Sequence, residues 1–334
     1  MTMTVETIAS FELPVSERLV IERSRFGINK TDADSQTPRL CIANGTHGDE
    51  TTGILICARL AAMLQTLESA NQLHGTIDLY PFLNPLAITA ASRNMPFFDA
   101  DLNRAFGLDQ KEDTSFIKEL GRSISRNLAG ADLVVHLNVS DGSIKVIPQI
   151  RCSSIHAEKL LPLANLTAPE FIWVHNDIAA LHNSLAHELN SEGTPCFVLE
   201  CGGARSISDK ETVELICKGI LNLARSLRIV QDGQAVKKPV PGMISSDGIV
   251  HHVHASNPGL FVPLAALAHY IAGGDIIGHI IDVQTGQIIE EICAPAHGVI
   301  ISMREYPIIM TGSLLARVYE GPGAASYAGA KNDA

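Results

Sequence analysis

Between residues 39 and 230 the chain keeps one rhythm: a short apolar run, a polar or glycine-rich break, then a longer segment with apolar residues at helical spacing. RLCIAN (39–44) ends in a glycine turn, and ETTGILICARLAAMLQTLE follows with Thr51 and Thr52 near its start. GTIDLYPFLNP (75–85) is stopped by Asn84-Pro85. DTSFIKELGRSISRNLA has a helical pattern with Asp113 or Thr114 as N-cap, and ADLVVHLNVS reads as the next strand. AHELNSEGTPCFVLECGG gives a helix end, a turn and a strand closing on Glu200. SDKETVELICKGILNLARSLRIV has the acidic first turn and basic last turn that a helix dipole favours. Strands alternating with helices of this length predict an α/β fold with a mostly parallel mixed sheet flanked by helices. In such sheets ligands gather at the carboxyl ends of the strands.

The rhythm changes at VQDGQAVKKPVPG, a polar segment with Gly233, Pro239, Pro241 and Gly242 that reads as a linker. Short apolar runs separated by glycines follow, which is β-hairpin punctuation. The division expected is 1–232 for an α/β domain and 233–334 for a smaller all-β domain ending in a disordered tail, GPGAASYAGAKNDA. The length of 334 residues is ample for this. With 25 basic and 36 acidic residues the net charge is −11, which argues against a nucleic-acid binder. The most apolar stretch, GLFVPLAALAHYIAGG, contains Pro263 and His269 and falls short of the ~20 residues a bilayer requires. No membrane partner is therefore expected. Seven scattered cysteines without a Cys-x-x-Cys pair read as reduced thiols, and the N-terminus lacks an apolar secretory core, so a cytoplasmic location is expected.

Three polar clusters sit where an apolar strand ends or turns. In GTHGDETTG, His47 and Glu50 lie three residues apart in a glycine-rich turn, and imidazole and carboxylate are both zinc donors. NPLAITAASRNMPFFDADLNRAF gathers Arg93, Asp101, Asn103 and Arg104. An arginine grips a carboxylate in bidentate fashion, and a second one can stabilise an oxyanion. In FVLECGG, Glu200 ends an apolar strand, a suitable position for a general base. Each cluster alone also fits a surface turn; their shared placement at strand ends sets them apart.

GTHGDE followed by DLNRAF, DLVVHLN and LECGG resembles the succinylglutamate desuccinylase/aspartoacylase family of the zinc carboxypeptidase superfamily, over roughly residues 38–205. The β-rich C-terminal region also resembles the second domain of larger members. The resemblance implies a carboxypeptidase-like domain and zinc-dependent removal of an acyl group from an N-acyl amino acid or related amine. By the same resemblance, His47 and Glu50 are the first two zinc ligands, and Arg93 polarises the scissile carbonyl. Asn103 and Arg104 hold a substrate carboxylate, and Glu200 activates water and protonates the leaving amine. The implied partner is a small carboxylate-bearing molecule; a homo-oligomer is compatible with it.

The third ligand departs from the pattern. The family's Asp-Leu-His becomes His-Leu-Asn here, so Asn138 stands at the ligand position and His136 two residues earlier, on the same strand face. Three readings stay open: His136 completes the site after a backbone shift, Asn138 binds zinc weakly or favours another metal, or zinc chemistry is lost. The last would make the chain a catalytically silent small-molecule binder. A hydrolase built on Cys201 is a further alternative, although strand alternation turns Cys201 away from the face of Glu200. The histidines of HHVHAS read as an exposed strand. His175, His182 and His187 read as helix or loop residues near Trp173, one of them within reach of the pocket.

Overall fold

The computed structural model describes residues 3–28, 37–107, 115–140, 142–176, 182–238, 242–325 and 327. The anticipated caps Asp113 and Thr114, the linker prolines 239 and 241 and tail residues 326 and 328–334 lie outside the described residues.

The chain opens with an antiparallel pair, β1 (Thr4–Glu12) and β2 (Arg18–Gly27). The alternation follows: β3 (Arg39–Ala43), α1 (Thr51–Ser69), β4 (Thr76–Tyr80), α2 (Pro85–Thr89), α3 (Phe116–Leu128), β5 (Leu133–Asn138), β6 (Ile144–Ser153), α4 (Ala157–Asn165), β7 (Phe171–His175), α5 (Leu185–Ser191), β8 (Cys196–Gly202) and α6 (Lys210–Ser226). The rest is strand upon strand: β9 (Met243–Ile244), β10 (Ile249–His254), β11 (Gly259–Pro263), β12 (Tyr270–Ile271), β13 (Ile276–Ile281), β14 (Ile288–Cys293), β15 (Gly298–Arg304), β16 (Ile308–Ile309) and β17 (Leu314–Glu320).

Local chemistry accounts for these elements. In α1, Ile56, Cys57, Leu60 and Leu64 recur at helical spacing and are all buried. Pro85 opens α2, where its missing N–H costs nothing, and the Asn84 side chain accepts from the amide of Ala87. In α3, Leu120, Ile124 and Leu128 form a buried i, i+4, i+8 stripe. All five residues of β4 are buried, as a central strand covered on both faces requires.

Among the described residues the main sheet runs β1-β2-β4-β3-β5-β8-β6-β15-β17-β10, with β7 beside β6 and β12 beside β15. Its centre, β4-β3-β5-β8, is parallel. One face packs Ile42, Val135, Leu137, Phe197, Leu199 and Ile150 against α1, α4 and α6. The other packs Cys41, Ala43, Val134 and Cys196 against α3 and α5. Each fully buried Leu, Ile or Phe contributes about 1.5–3 kcal/mol.

Two features differ from the sequence expectation. The segment around Trp173 is a strand, β7, because a short apolar run carries no decisive period. The β-rich part also joins the main sheet: β15 pairs antiparallel with β6 through Ser302↔Val146, Met303↔Lys145 and Arg304↔Ile144. A second sheet, β14-β13-β11-β16, is separate and antiparallel. No helix among the described residues is long and apolar enough to cross a membrane.

Candidate functional site

The parallel strands end at one rim, and the polar residues after them converge there. The turn after β3 is forced tight. Gly45 has φ +77°, a conformation glycine adopts without strain. A side chain at Gly48 would collide with the carbonyl oxygen of Ala87. Glu50 is the N-cap residue of α1, where the helix dipole favours an anion. Its Oε2 accepts from the amides of Gly45 at 3.0 Å and His47 at 3.2 Å.

His47 lies between two carboxylates. Its Nδ1 is 2.7 Å from Glu50 Oε1, and its Nε2 is 2.7 Å from Asp101 Oδ1. Burial alone would depress the imidazole pKa; the charge of Glu50 and the bonds to Asp101 and Glu50 outweigh it and lift the group to about 9. Asp101 answers in kind: burial pushes it up, but His47 and Arg93 hold it at about 2. Asp101 also caps the turn Leu102–Arg104, accepting from the amide of Asn103 at 2.8 Å. Arg93 Nη2 stands 3.7 Å from its other oxygen.

His136, on β5, is fully buried, and burial lowers its pKa to about 4, so the ring is neutral at pH 7. Nε2 is 3.4 Å from Thr46 Oγ1, which in turn is 3.5 Å from both oxygens of Glu50. Nδ1 has no hydrogen-bond partner among the described residues. Asn138 turns its Oδ1 onto the amide of Val139 at 2.8 Å. Among the described residues, no three His, Cys, Asp or Glu side chains converge on one point as an ion requires. His47 and Glu50 therefore form a pair, and His136 stands one hydroxyl away.

Arg93, Asn103, Arg104, His136, Asn138 and Glu200 line one cavity of ≈ 750 Å³. Asn103 is fixed by accepting from the amide of Leu185 at 3.1 Å, and Arg104 donates to the Asn103 carbonyl at 3.0 Å. Glu200 sits on β8 opposite Asn138 on one side and Gln149 on the other. Gln149 Nε2 donates to Glu200 Oε2 at 2.7 Å, and Arg151 Nη1 lies 3.4 Å from Oε1. Cys201 points to the opposite face, into the apolar core, and burial pushes its thiol up to about 12. The cavity wall continues through Arg151 on β6, His156 at the start of α4, His175 on β7 and His187 on α5.

Sequence reasoning missed Gln149 and Arg151. The only available signal, Gln and Arg alternating in PQIRC, is faint, because Pro148 interrupts the strand pattern. Asp101 was visible as a cluster member, but not as the partner of His47.

A carboxylate in a cavity lined by arginines suits hydrolysis of a carboxylate-bearing substrate. Comparisons with known proteins bear on that chemistry. The model of the succinylglutamate desuccinylase/aspartoacylase catalytic domain matches residues 36–227. N-alpha-acetyl-L-2,4-diaminobutyric acid deacetylase of Halomonas elongata is 24% identical over 291 residues, covering 85% of this chain and 82% of that protein. A product-bound ectoine utilization protein from Ruegeria pomeroyi superposes with a TM-score of 0.77 at 19% identity, covering 95% of this chain and 94% of the other. A succinylglutamate desuccinylase from a Silicibacter species gives 0.77 at 20% identity, covering 95% of each chain. These structural likenesses show a shared carboxypeptidase-like fold.

Proposed function

The chain belongs to the succinylglutamate desuccinylase/aspartoacylase family, and from that premise we propose that it hydrolyses the amide bond of an N-acyl amino acid or related N-acyl amine. What carries this is the setting of Glu200: a carboxylate 6% exposed, two residues before the end of β8, facing a cavity that also holds Arg93, Asn103 and Arg104. Arg104 and Asn103 receive the substrate carboxylate, which orients the amide. Glu200 takes the proton of the attacking water and returns it to the departing nitrogen. Arg93 faces the carbonyl oxygen as negative charge develops there. The catalytic unit in this reading is 1–232, and 233–334 is the β-rich part. Seven unpaired cysteine thiols support a reducing, cytoplasmic setting.

The donors fit zinc in their chemistry. His47 Nδ1 and the Glu50 carboxylate face each other, and the far side of the ring, Nε2, is held by Asp101, the way a carboxylate orients a histidine that binds metal through its other nitrogen. His136 offers a neutral, buried imidazole with an unpartnered Nδ1. Bound between these groups, zinc would supply Lewis acidity toward the scissile carbonyl and lower the pKa of an adjacent water.

A second reading, a small-molecule binder without catalysis, is favoured by one observation: Asn138, at the family's third donor position, already accepts the amide of Val139 on its side-chain carbonyl. Elemental analysis of protein purified without added metal separates the two. The hydrolase reading expects near-stoichiometric zinc in wild type and Asn138→Ala, its loss in His136→Ala, and release of amine from N-acetyl and N-succinyl amino acids. Loss only in Asn138→Ala would move the third ligand to Asn138. No zinc even after it is added back, with no amine released, would leave the binder.

A further inference from the structure

β6 and β8 run antiparallel, and between two of their cross-strand pairs the count is unequal. Val146 faces Gly202 and Gln149 faces Glu200, so β6 advances three residues where β8 advances two. β6 therefore carries a bulge. A one-residue change of register moves every following side chain to the other face of a sheet. Without the extra residue Glu200 would face Pro148, and Ile150 and Cys152 would share its face. With it, Gln149 and Arg151 share the face of Glu200, while Ile150 and Cys152 enter the apolar core. Pro148, which has no N–H to offer a ladder, lies within the bulge, one of the few places a sheet tolerates it.

The result is asymmetric. Gln149 is 4% exposed, and its amide donates to Glu200 Oε2 at 2.7 Å. Arg151 is looser: its contacts with the carboxylate are 3.4 and 3.5 Å, its side chain is 36% exposed, and its guanidinium lies 5.9 Å from the centre of the Trp173 ring. One oxygen of Glu200 is thus pinned by a short, buried bond, while the other has only a long contact on the cavity side.

We infer that Gln149 is the positioning residue for Glu200, and that the β6 bulge is the device that puts it there. This rests on Glu200 being the base of the proposed hydrolysis. A fixed carboxylate keeps Oε1 aimed at the attacking water and loses no orientation on reaching the transition state. Gln149 acts only through Glu200 and needs no contact with the substrate.

The test uses two substitutions of nearly unchanged size. Gln149→Met keeps the length and removes the donor; Gln149→Glu can donate only when protonated. With an N-acetyl amino acid as substrate, Gln149→Met is expected to lower kcat on the order of 10–100-fold, as loss of a hydrogen bond that orients a functional group does at metal sites. KM should stay within about threefold, since uniform binding is untouched. Relative to wild type, Gln149→Glu should regain kcat as pH falls, because its protonated form restores the donor; a residue that only fills space would show no such recovery. A crystal structure of Gln149→Met should show the Glu200 carboxylate in a different rotamer or in two. An unmoved Glu200 with kcat within twofold of wild type overturns the inference. Glu200→Gln, measured alongside, keeps the two ideas apart. If it retains activity, the base assignment fails, and the Glu200 rotamer in Gln149→Met still decides whether Gln149 holds the side chain. If it is inactive while Gln149→Met is normal, only the positioning role falls.

Discussion

Two carboxylates on the same sheet, Asp78 on β4 and Glu200 on β8, have opposite surroundings. Asp78 is fully buried and tightly held. Arg25 meets it bidentately at 2.8 and 3.0 Å, Arg39 binds at 2.8 Å, and Arg23 stands 3.6 Å away. Those arginines come from β2 and β3, so one side chain ties three neighbouring strands together. Glu200 has one short bond, from a neutral amide, and a longer contact with one arginine. A carboxylate gripped by short bonds from charged guanidiniums is structure, because a substrate or a proton would have to displace them. One left partly unsatisfied at the wall of a cavity is available for chemistry. Charge and burial alone do not separate the two; the length of the bonds and the charge of their donors do.

The sharpest way to break this contrast is to neutralise each carboxylate in turn. Glu200→Gln should lower kcat on the order of 10³-fold with little change in unfolding midpoint, within the usual range for a general base; amine release and urea unfolding on the same preparation check it. Asp78→Asn should do the reverse. Leaving three arginines partly uncompensated should cost about 3–5 kcal/mol of stability, with near-normal activity per folded molecule.

A pH series sharpens the same point. Burial pushes the Asp78 carboxyl up, but the Arg25 bonds and the charges of Arg39, Arg25 and Arg23 outweigh it and hold the group below its usual range. A carboxylate lowered on folding contributes its full stability above the unfolded value of about 3.9 and loses it as pH falls through the folded value. The stability gap between wild type and Asp78→Asn should therefore be full at pH 7 and shrink below about pH 4, as urea midpoints at each pH would report. The smallest effect is expected at Arg151. Arg151→Leu should change kcat/KM by roughly tenfold or less, since its contacts with Glu200 are long and partly exposed; steady-state kinetics at fixed salt would show a larger loss if Arg151, not Gln149, holds the carboxylate.

The sequence is most legible where hydrophobic pattern and chemistry change together. RLCIA, LVVHLN and CFVLECG each show an apolar run ending in polar groups, and β3, β5 and β8 follow those runs. Cavity residues Arg93, Asn103, Arg104 and Glu200 are found by the same logic. β6 escapes it. Pro148 and the bulge interrupt the alternation that marks a strand, and register is a property of two strands, not of one. For the same reason, the contact of His47 with Asp101, 54 positions along the chain, is invisible before the turn after β3 and the turn before Asn103 meet. The β-rich nature of the C-terminal part is legible from its glycine punctuation; its continuity with the main sheet through β15 is not, because nothing local in GVIISMR names its partner.

β6 belongs to both parts of the molecule. Its middle carries Gln149 against β8, and its beginning, 144–146, is hydrogen-bonded to β15. A chain ending after α6 would leave that beginning as a bare edge, open to pairing with other chains. The two parts are consequently not interchangeable cassettes. A chimera that joined this catalytic part to the β-rich part of a relative would have to reproduce the β15 seam, or loosen the strand that aims Glu200.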